Sequence, residues 1–181
     1  RIVLTLKTHQ SLRKKVAKLL VVRASGHAFD SQRKYPAWEL NNNSLKVCFI
    51  TGHQKPEKCG ITDYVNLLSV ELTKHGHQAK IIEIKSPKDF DYRNKNLPKA
   101  DLYSLQFAPY LFSPKGLSGR FLFSFGAILK NRLTHINFHE IWVGAYPQAS
   151  CKEKLWGWRQ KREILKFLNI LNPNLITATN I

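Results

Sequence analysis

Methionine is absent from all 181 residues, position 1 included, where Arg1 stands. A translated chain starts with methionine unless it has been processed or cut, so we expect a piece of a longer protein. Cysteine is scarce as well. Cys48, Cys59 and Cys151 make an odd count of 3, too few for a disulfide scaffold and in keeping with a reducing compartment. None of them forms a C-x-x-C pair, and His75 with His77 is not a usual helical ligand pair, so no metal site is expected. The G-x-S-x-G elbow of serine hydrolases is missing. So are the G-x-x-x-x-G-K-[ST] phosphate loop and the G-x-G-x-x-G dinucleotide turn. Apolar runs are short, which excludes a bilayer-spanning helix. Acidic side chains are few: Asp plus Glu is 12 against 29 Lys plus Arg.

What is present is globular. Apolar residues make up 43% of the chain and aromatics 11%, enough for one core and incompatible with wholesale disorder. The formal net charge of +17 attracts polyanions: nucleic acid, anionic lipid or phosphorylated substrates. Two stretches concentrate it. Residues 1–44 hold nine basic and two acidic side chains. Residues 152–166 hold Lys152, Lys154, Arg159, Lys161, Arg162 and Lys166 against Glu153 and Glu163. Trp156 and Trp158 lie inside the second cluster, and amphipathic Trp among cations suits an anionic membrane surface. No zinc-finger spacing or RNA-recognition motif accompanies the charge, so no specific nucleic acid is expected.

Residues 1–44 read as a basic N-terminal extension. Arg1–Leu6 suits a short strand. Ser11–Arg23 has Leu12, Val16, Leu19 and Leu20 on one side of a basic helix. Gly26, Pro36 and Asn41–Asn43 then mark a linker. From residue 45 to residue 181 the texture is regular. Lys46–Gly52 reads as a buried strand, Thr62–His75 as a helix with Thr62 as its cap and Gly76 as its stop, and Ala79–Ile84 as a strand. Pro87–Pro98 reads as a polar loop. Asp101–Phe107 is a third strand, Leu117–Asn131 a helix, Thr134–Phe138 a strand, Glu153–Leu171 a helix ended by Asn172-Pro173, and Leu175–Thr179 a fifth strand. Strands and helices alternate, and the strands are nearly continuous apolar runs. The expected fold class is therefore α/β, a Rossmann-like doubly wound parallel sheet.

In such sheets ligands bind beyond the carboxyl ends of strands. Three stretches lie there. The loop Thr51 to Tyr64 carries Gly52 and Gly60 and feeds a helix N-terminus, whose N–H groups can receive an anion or hydroxyls. Gln106 is a polar residue ending an apolar strand. His139 and Glu140 follow the fourth strand, where an imidazole can hydrogen-bond a hydroxyl and a carboxylate can orient it.

Together these stretches resemble the start of a GT-B glycosyltransferase, of the group 1 or family 4 retaining type. Cys59-Gly60-Ile61-Thr62-Asp63-Tyr64 leads into a helix ending Lys74-His75-Gly76-His77. Asp101 to Pro109 is similar to the family's D-x-x-x-x-Q-x-x-P strand. Asn137-Phe138-His139-Glu140 resembles its strand ending in His, and Pro173–Thr179 the strand that closes its N-terminal half. The resemblance implies an acceptor-side half over residues 45–181, with the C-terminal GT-B domain and its E-x₇-E motif missing from the chain. It implies His139 and Glu140 as catalytic residues, and Gly52, Gly60, Thr62, Asp63 and Gln106 as substrate-binding residues. The partners implied are a nucleotide-sugar donor and a glycan or lipid acceptor, with no cofactor. The setting would be cytoplasmic, peripheral at a membrane, and the half would be inactive alone. The 44 residues ahead of the first strand have no counterpart in that family. The competing reading is a non-enzymatic basic α/β module that binds anionic membrane or nucleic acid.

Overall fold

A computed structural model describes residues 44–52, 60–84, 97–113, 116 and 119–178. The strand, helix and linker expected within residues 1–43, and most of the Pro87–Pro98 loop, lie outside the described residues. In chain order the elements are β1 (Lys46–Gly52), α1 (Gly60–Lys74), β2 (Gln78–Ile84), β3 (Leu102–Phe107), a single 3₁₀ turn (Pro109–Leu111), α2 (Gly119–Leu129), β4 (Thr134–Phe138), α3 (Cys151–Leu171) and β5 (Leu175–Ala178). All strand pairings are parallel, in the order β2-β1-β3-β4-β5. The chain steps outward from β1 to β2, crosses back to β3, and then steps the other way. Right-handed crossovers on opposite sides of a switch point place α1 on one face and α2 with α3 on the other. The expected doubly wound parallel α/β sheet is what forms.

The face toward α2 and α3 is apolar. Cys48 and Ile50 of β1, Leu105 and Phe107 of β3, and Ile136 and Phe138 of β4 meet Phe121, Phe125 and Phe167 in one cluster. Alternation along each strand sends every second side chain to this side. The aromatic rings pass contacts in series, Phe107 to Phe112 to Phe121 to Phe125. Each such side chain, fully buried, stabilises by about 1.5–3 kcal/mol. Helix α2 crosses α3 closely at Gly126, where an added Cβ would stand 3.1 Å from Ile170.

Helix ends differ in detail from the sequence expectation. Helix α1 begins at Gly60, so Thr62 lies inside the first turn and does not cap it. Ile61, half-buried, packs against the core in that turn. The other end is as expected. Gly76 has φ +78°, and the N–H groups of Gly76 and His77 donate to the carbonyls of Thr73 and Leu72 at 3.0 Å each. Helix α2 stops at Leu129, because Arg132 N–H closes a turn on the Leu129 carbonyl and Asn131 takes φ 68°. Helix α3 starts two residues before Glu153. Ser150 caps it: its hydroxyl accepts from Glu153 N–H at 3.3 Å, and the Glu153 carboxylate accepts from Ser150 N–H at 2.8 Å. This reciprocal pair is the S-x-x-E capping box. Asn172, at φ 47°, closes the far end by donating to the Leu168 carbonyl.

Candidate functional site

The switch point lies between β1 and β3, which are neighbours while their following strands diverge. Gly52 ends β1 there and is buried. A Cβ on it would stand 2.2 Å from the Leu111 carbonyl oxygen. The glycine thus lets the 3₁₀ turn close over the end of β1, a packing reason for its presence. Residues 53–59 of the following loop, with Lys55, Lys58 and Cys59, lie outside the described residues. The chain reappears at the start of α1, where Gly60 and Asp63 are exposed and Thr62 is half-buried. Asp63 occupies the first turn, where the helix dipole favours its charge.

The face of the sheet opposite α2 and α3 carries an unusual set of side chains. Ser104 and Gln106 of β3, His135 and Asn137 of β4, and Thr177 of β5 share it by strand alternation. Register pairs Ser104 with His135, Gln106 with Asn137, and Asn137 with Thr177. Ser104, Gln106, His135 and Asn137 are each at most 3% exposed. Buried polar groups need partners, and here they supply one another. Gln106 Nε2 donates to Ser104 Oγ at 2.8 Å, and Ser104 Oγ meets His135 Nδ1 at 2.8 Å. His135 Nε2 meets Thr177 Oγ1 at 2.8 Å, and Thr177 Oγ1 donates to Asn137 Oδ1 at 2.8 Å. Asn137 Nδ2 donates to Gln106 Oε1 at 3.1 Å, which closes the circuit.

The direction of every bond follows from chemistry. The Thr177 hydroxyl gives its proton to Asn137, so it accepts from His135 Nε2–H. The Ser104 hydroxyl accepts from Gln106 and still has its own proton for a bare His135 Nδ1. A neutral His135 with its proton on Nε2 thus satisfies every one of these bonds. Burial pushes its pKa down to about 3, with His139 adding to the effect. That agrees with the bonding.

His139, one residue past β4, hangs on the same circuit. Its N–H donates to the Phe107 carbonyl at 2.9 Å, extending the ladder. Its Nε2 lies 2.9 Å from Gln106 Oε1 and 3.2 Å from Asn137 Nδ2. The Gln106 oxygen can only accept, so the shorter contact puts the proton on Nε2 and leaves Nδ1 as the ring's acceptor nitrogen, and Asn137 Nδ2, itself a donor, then makes no bond to the ring. Burial pushes His139 down to about 4, so the ring is neutral near pH 7. Tyr64 of α1 abuts it edge-on, with ring centroids 5.3 Å apart, and burial raises that phenol. The site therefore offers a neutral imidazole held from below by an amide and flanked by a phenol ring. Such a group recognises hydroxyls through directed hydrogen bonds and brings no net charge of its own. Glu140, one residue further, is exposed beyond the strand end.

Of the residues expected from the sequence, Gln106 and His139 are brought into direct contact. Gly52, Gly60, Thr62 and Asp63 belong to the neighbouring strand end and helix start, and Gly52 is engaged in packing. Ser104, His135, Asn137, Thr177 and Tyr64 were missed. A signal for four of them exists: Ser104-x-Gln106, His135-x-Asn137-x-His139 and Thr177 are polar at period two within strands otherwise rich in apolar residues. Among the described residues no cluster of three His, Cys, Asp or Glu side chains could hold a metal ion.

A comparison with known protein families, curated proteins and solved structures finds no match to this chain.

Proposed function

We propose that the chain is the acceptor-binding half of a GT-B glycosyltransferase, an enzyme that moves a sugar from a nucleotide-sugar donor to a glycan or lipid hydroxyl. The observation that carries this reading is the Gln106–His139 hydrogen bond at the strand ends. Two motifs far apart in sequence, each resembling that family, meet at the carboxyl ends of β3 and β4, beside Tyr64 of α1. In this reading His139 holds a sugar hydroxyl by a directed hydrogen bond. Gln106 fixes the ring, and Glu140 stands at the mouth as the second catalytic group. Gly60, Thr62 and Asp63 line the side from which the donor phosphates approach. The leaving phosphate is stabilised by electrostatics from both halves of the enzyme, so the half alone gives no turnover. The setting is cytoplasmic.

The test is ligand binding followed by reconstitution. Saturation-transfer NMR with a panel of sugar acceptors and nucleotide-sugars should find acceptor binding to the chain. His139→Ala should weaken it about tenfold, the scale of one well-placed hydrogen bond. Joined to a C-terminal GT-B domain bearing E-x₇-E, the chain should support transfer. Sugar binding that is indifferent to both His139→Ala and Gln106→Ala would sink the site. Transfer by the isolated chain at an ordinary enzymatic rate would overturn its role as a half.

A further inference from the structure

We propose that the outward face of α3 docks the protein on an anionic lipid bilayer. This stands apart from the transferase reading, since it uses none of the residues around His139. Helix α3 buries Gly157, Gln160, Ile164, Phe167 and Leu171 against the rest of the domain. About half a turn away on the helix wheel, three large apolar side chains stand out from the surface: Leu155 at 61% exposure, Trp158 at 54% and Leu165 at 48%. Spacings of three, seven and ten residues put them on one stripe. Scattered exposed apolar residues need no explanation, but an aligned stripe on one helix does.

Charge says what the stripe meets. Lys152, Lys154, Arg159, Lys161, Arg162 and Lys166 of α3 are all exposed. Arg159 and Arg162 lie beside the stripe, and Arg162 sits over the Trp158 ring at 4.8 Å. The two acids lie off the stripe on the helix wheel. Glu153 is taken up by Ser150 and Tyr146 at the helix start. The Glu163 carboxylate lies against Gly119 at the start of α2, where an added Cβ would be 3.0 Å from its carboxyl carbon. The outward face is thus positive with an apolar ridge along its middle. That is the pattern of a helix lying in the headgroup plane, with Trp and Leu in the acyl boundary and Lys and Arg on anionic headgroups. A nucleic acid backbone would use the cations but leave the ridge against water. Among the described residues no helix is long and apolar enough to cross the membrane, so the contact is interfacial.

The topology gives the contact an orientation. Helix α3 runs between parallel strands β4 and β5 and hence opposite to them, so its Ser150 end lies at the carboxyl edge of the sheet. That edge also carries His139. A bilayer against α3 therefore runs alongside the sheet, on the face opposite the His139 circuit.

Flotation with vesicles tests this. The chain should float with mixed phosphatidylcholine–phosphatidylglycerol vesicles and stay behind with phosphatidylcholine alone. Brominated acyl chains should quench its tryptophan fluorescence. Arg159→Glu with Arg162→Glu should cut binding to the mixed vesicles by about tenfold or more, from the attraction each basic residue contributes. Leu155→Ser with Trp158→Ser should abolish both the quenching and the binding that persists in high salt. All four positions are exposed, and circular dichroism checks that the fold is kept. Binding unchanged in both double variants would overturn the proposal, because the attraction would then come from the basic residues at 1–44. Absence of quenching in the unmodified chain would also overturn it, as would a preference for duplex DNA over the mixed vesicles. Sugar binding should be untouched by these variants, so failure here leaves the transferase reading to its own test.

Discussion

At the scale of single residues, a closed hydrogen-bond circuit under the sheet determines what His139 can do. Each member has both a donor and an acceptor assigned, and the removal of one strands two others. Thr177→Val keeps the shape but leaves His135 Nε2–H and Asn137 Oδ1 without their partner. A stranded buried polar group costs about 1–3 kcal/mol, so we expect a loss of at least ~2 kcal/mol in urea unfolding. The nitrogen shifts of the His139 ring should move in the same variant, since Thr177 no longer holds Asn137, which donates to the Gln106 oxygen that fixes the tautomer. An unchanged His139 spectrum would mean that the circuit and the site are uncoupled. Gly52 is a residue of another kind. The Leu111 carbonyl occupies the place of its Cβ, so Gly52→Ala should destabilise the fold by about 1–3 kcal/mol. A loss of sugar binding in that variant should appear together with the lowered midpoint of unfolding.

At the scale of elements, caps and close approaches set boundaries that periodicity blurs. The capping box at Ser150 starts α3 and orients the preceding loop. Gly157 lets that loop lie on the helix, because an added Cβ would be 1.9 Å from the Val143 carbonyl oxygen. Val143 N–H donates to the buried Gln160 side chain at 3.0 Å, fixing the loop between His139 and α3. Ser150→Ala removes one half of the box and should cost about 1 kcal/mol. Differential scanning calorimetry should register this as a drop in Tm with no change in the His139 site, read by unchanged His139 resonances.

At the scale of the whole molecule, the buried histidines make stability depend on pH. Burial holds His135 down to about 3 and His139 to about 4, both below the ordinary value of 6.5. Near pH 7 both are neutral in the folded and mostly neutral in the unfolded chain. As pH falls through 6.5 the unfolded chain takes up protons that the folded one refuses. Stability is therefore full above about pH 6.5 and is lost progressively down to the folded values, with a limiting slope of ~1.4 kcal/mol per pH unit for His135. His139 is less deeply covered and adds a smaller share. Urea midpoints at pH 7.5 and at pH 5 should differ in that direction, and both rings should remain neutral by NMR at the lower pH, about 1.5 units under the free imidazole pKa. Equal midpoints would show that the rings are solvated.

Much of this was legible in the chain. Strands β1 and β4 were placed at their true bounds, and the other described strands and helices to within about two residues, because buried parallel strands and amphipathic helices impose periods that survive in sequence. The α/β class and the parallel sheet followed from alternation, and Gln106 and His139 each stood out by strand-end position. Strand order was not legible, nor was the start of α1 two residues ahead of Thr62. The circuit was hidden for a physical reason. Across strands, Ser104, His135, Asn137 and Thr177 bond side chains 31 to 42 residues away, and only parallel registration sets them side by side. By itself the sequence determined which elements form and how much positive charge they carry, because these depend on local periodicity and composition. The tertiary structure alone decided which polar residues share one buried face, which nitrogen of His139 holds its proton, and which side of α3 turns its charge outward. Those depend on contacts between segments that the chain order keeps apart.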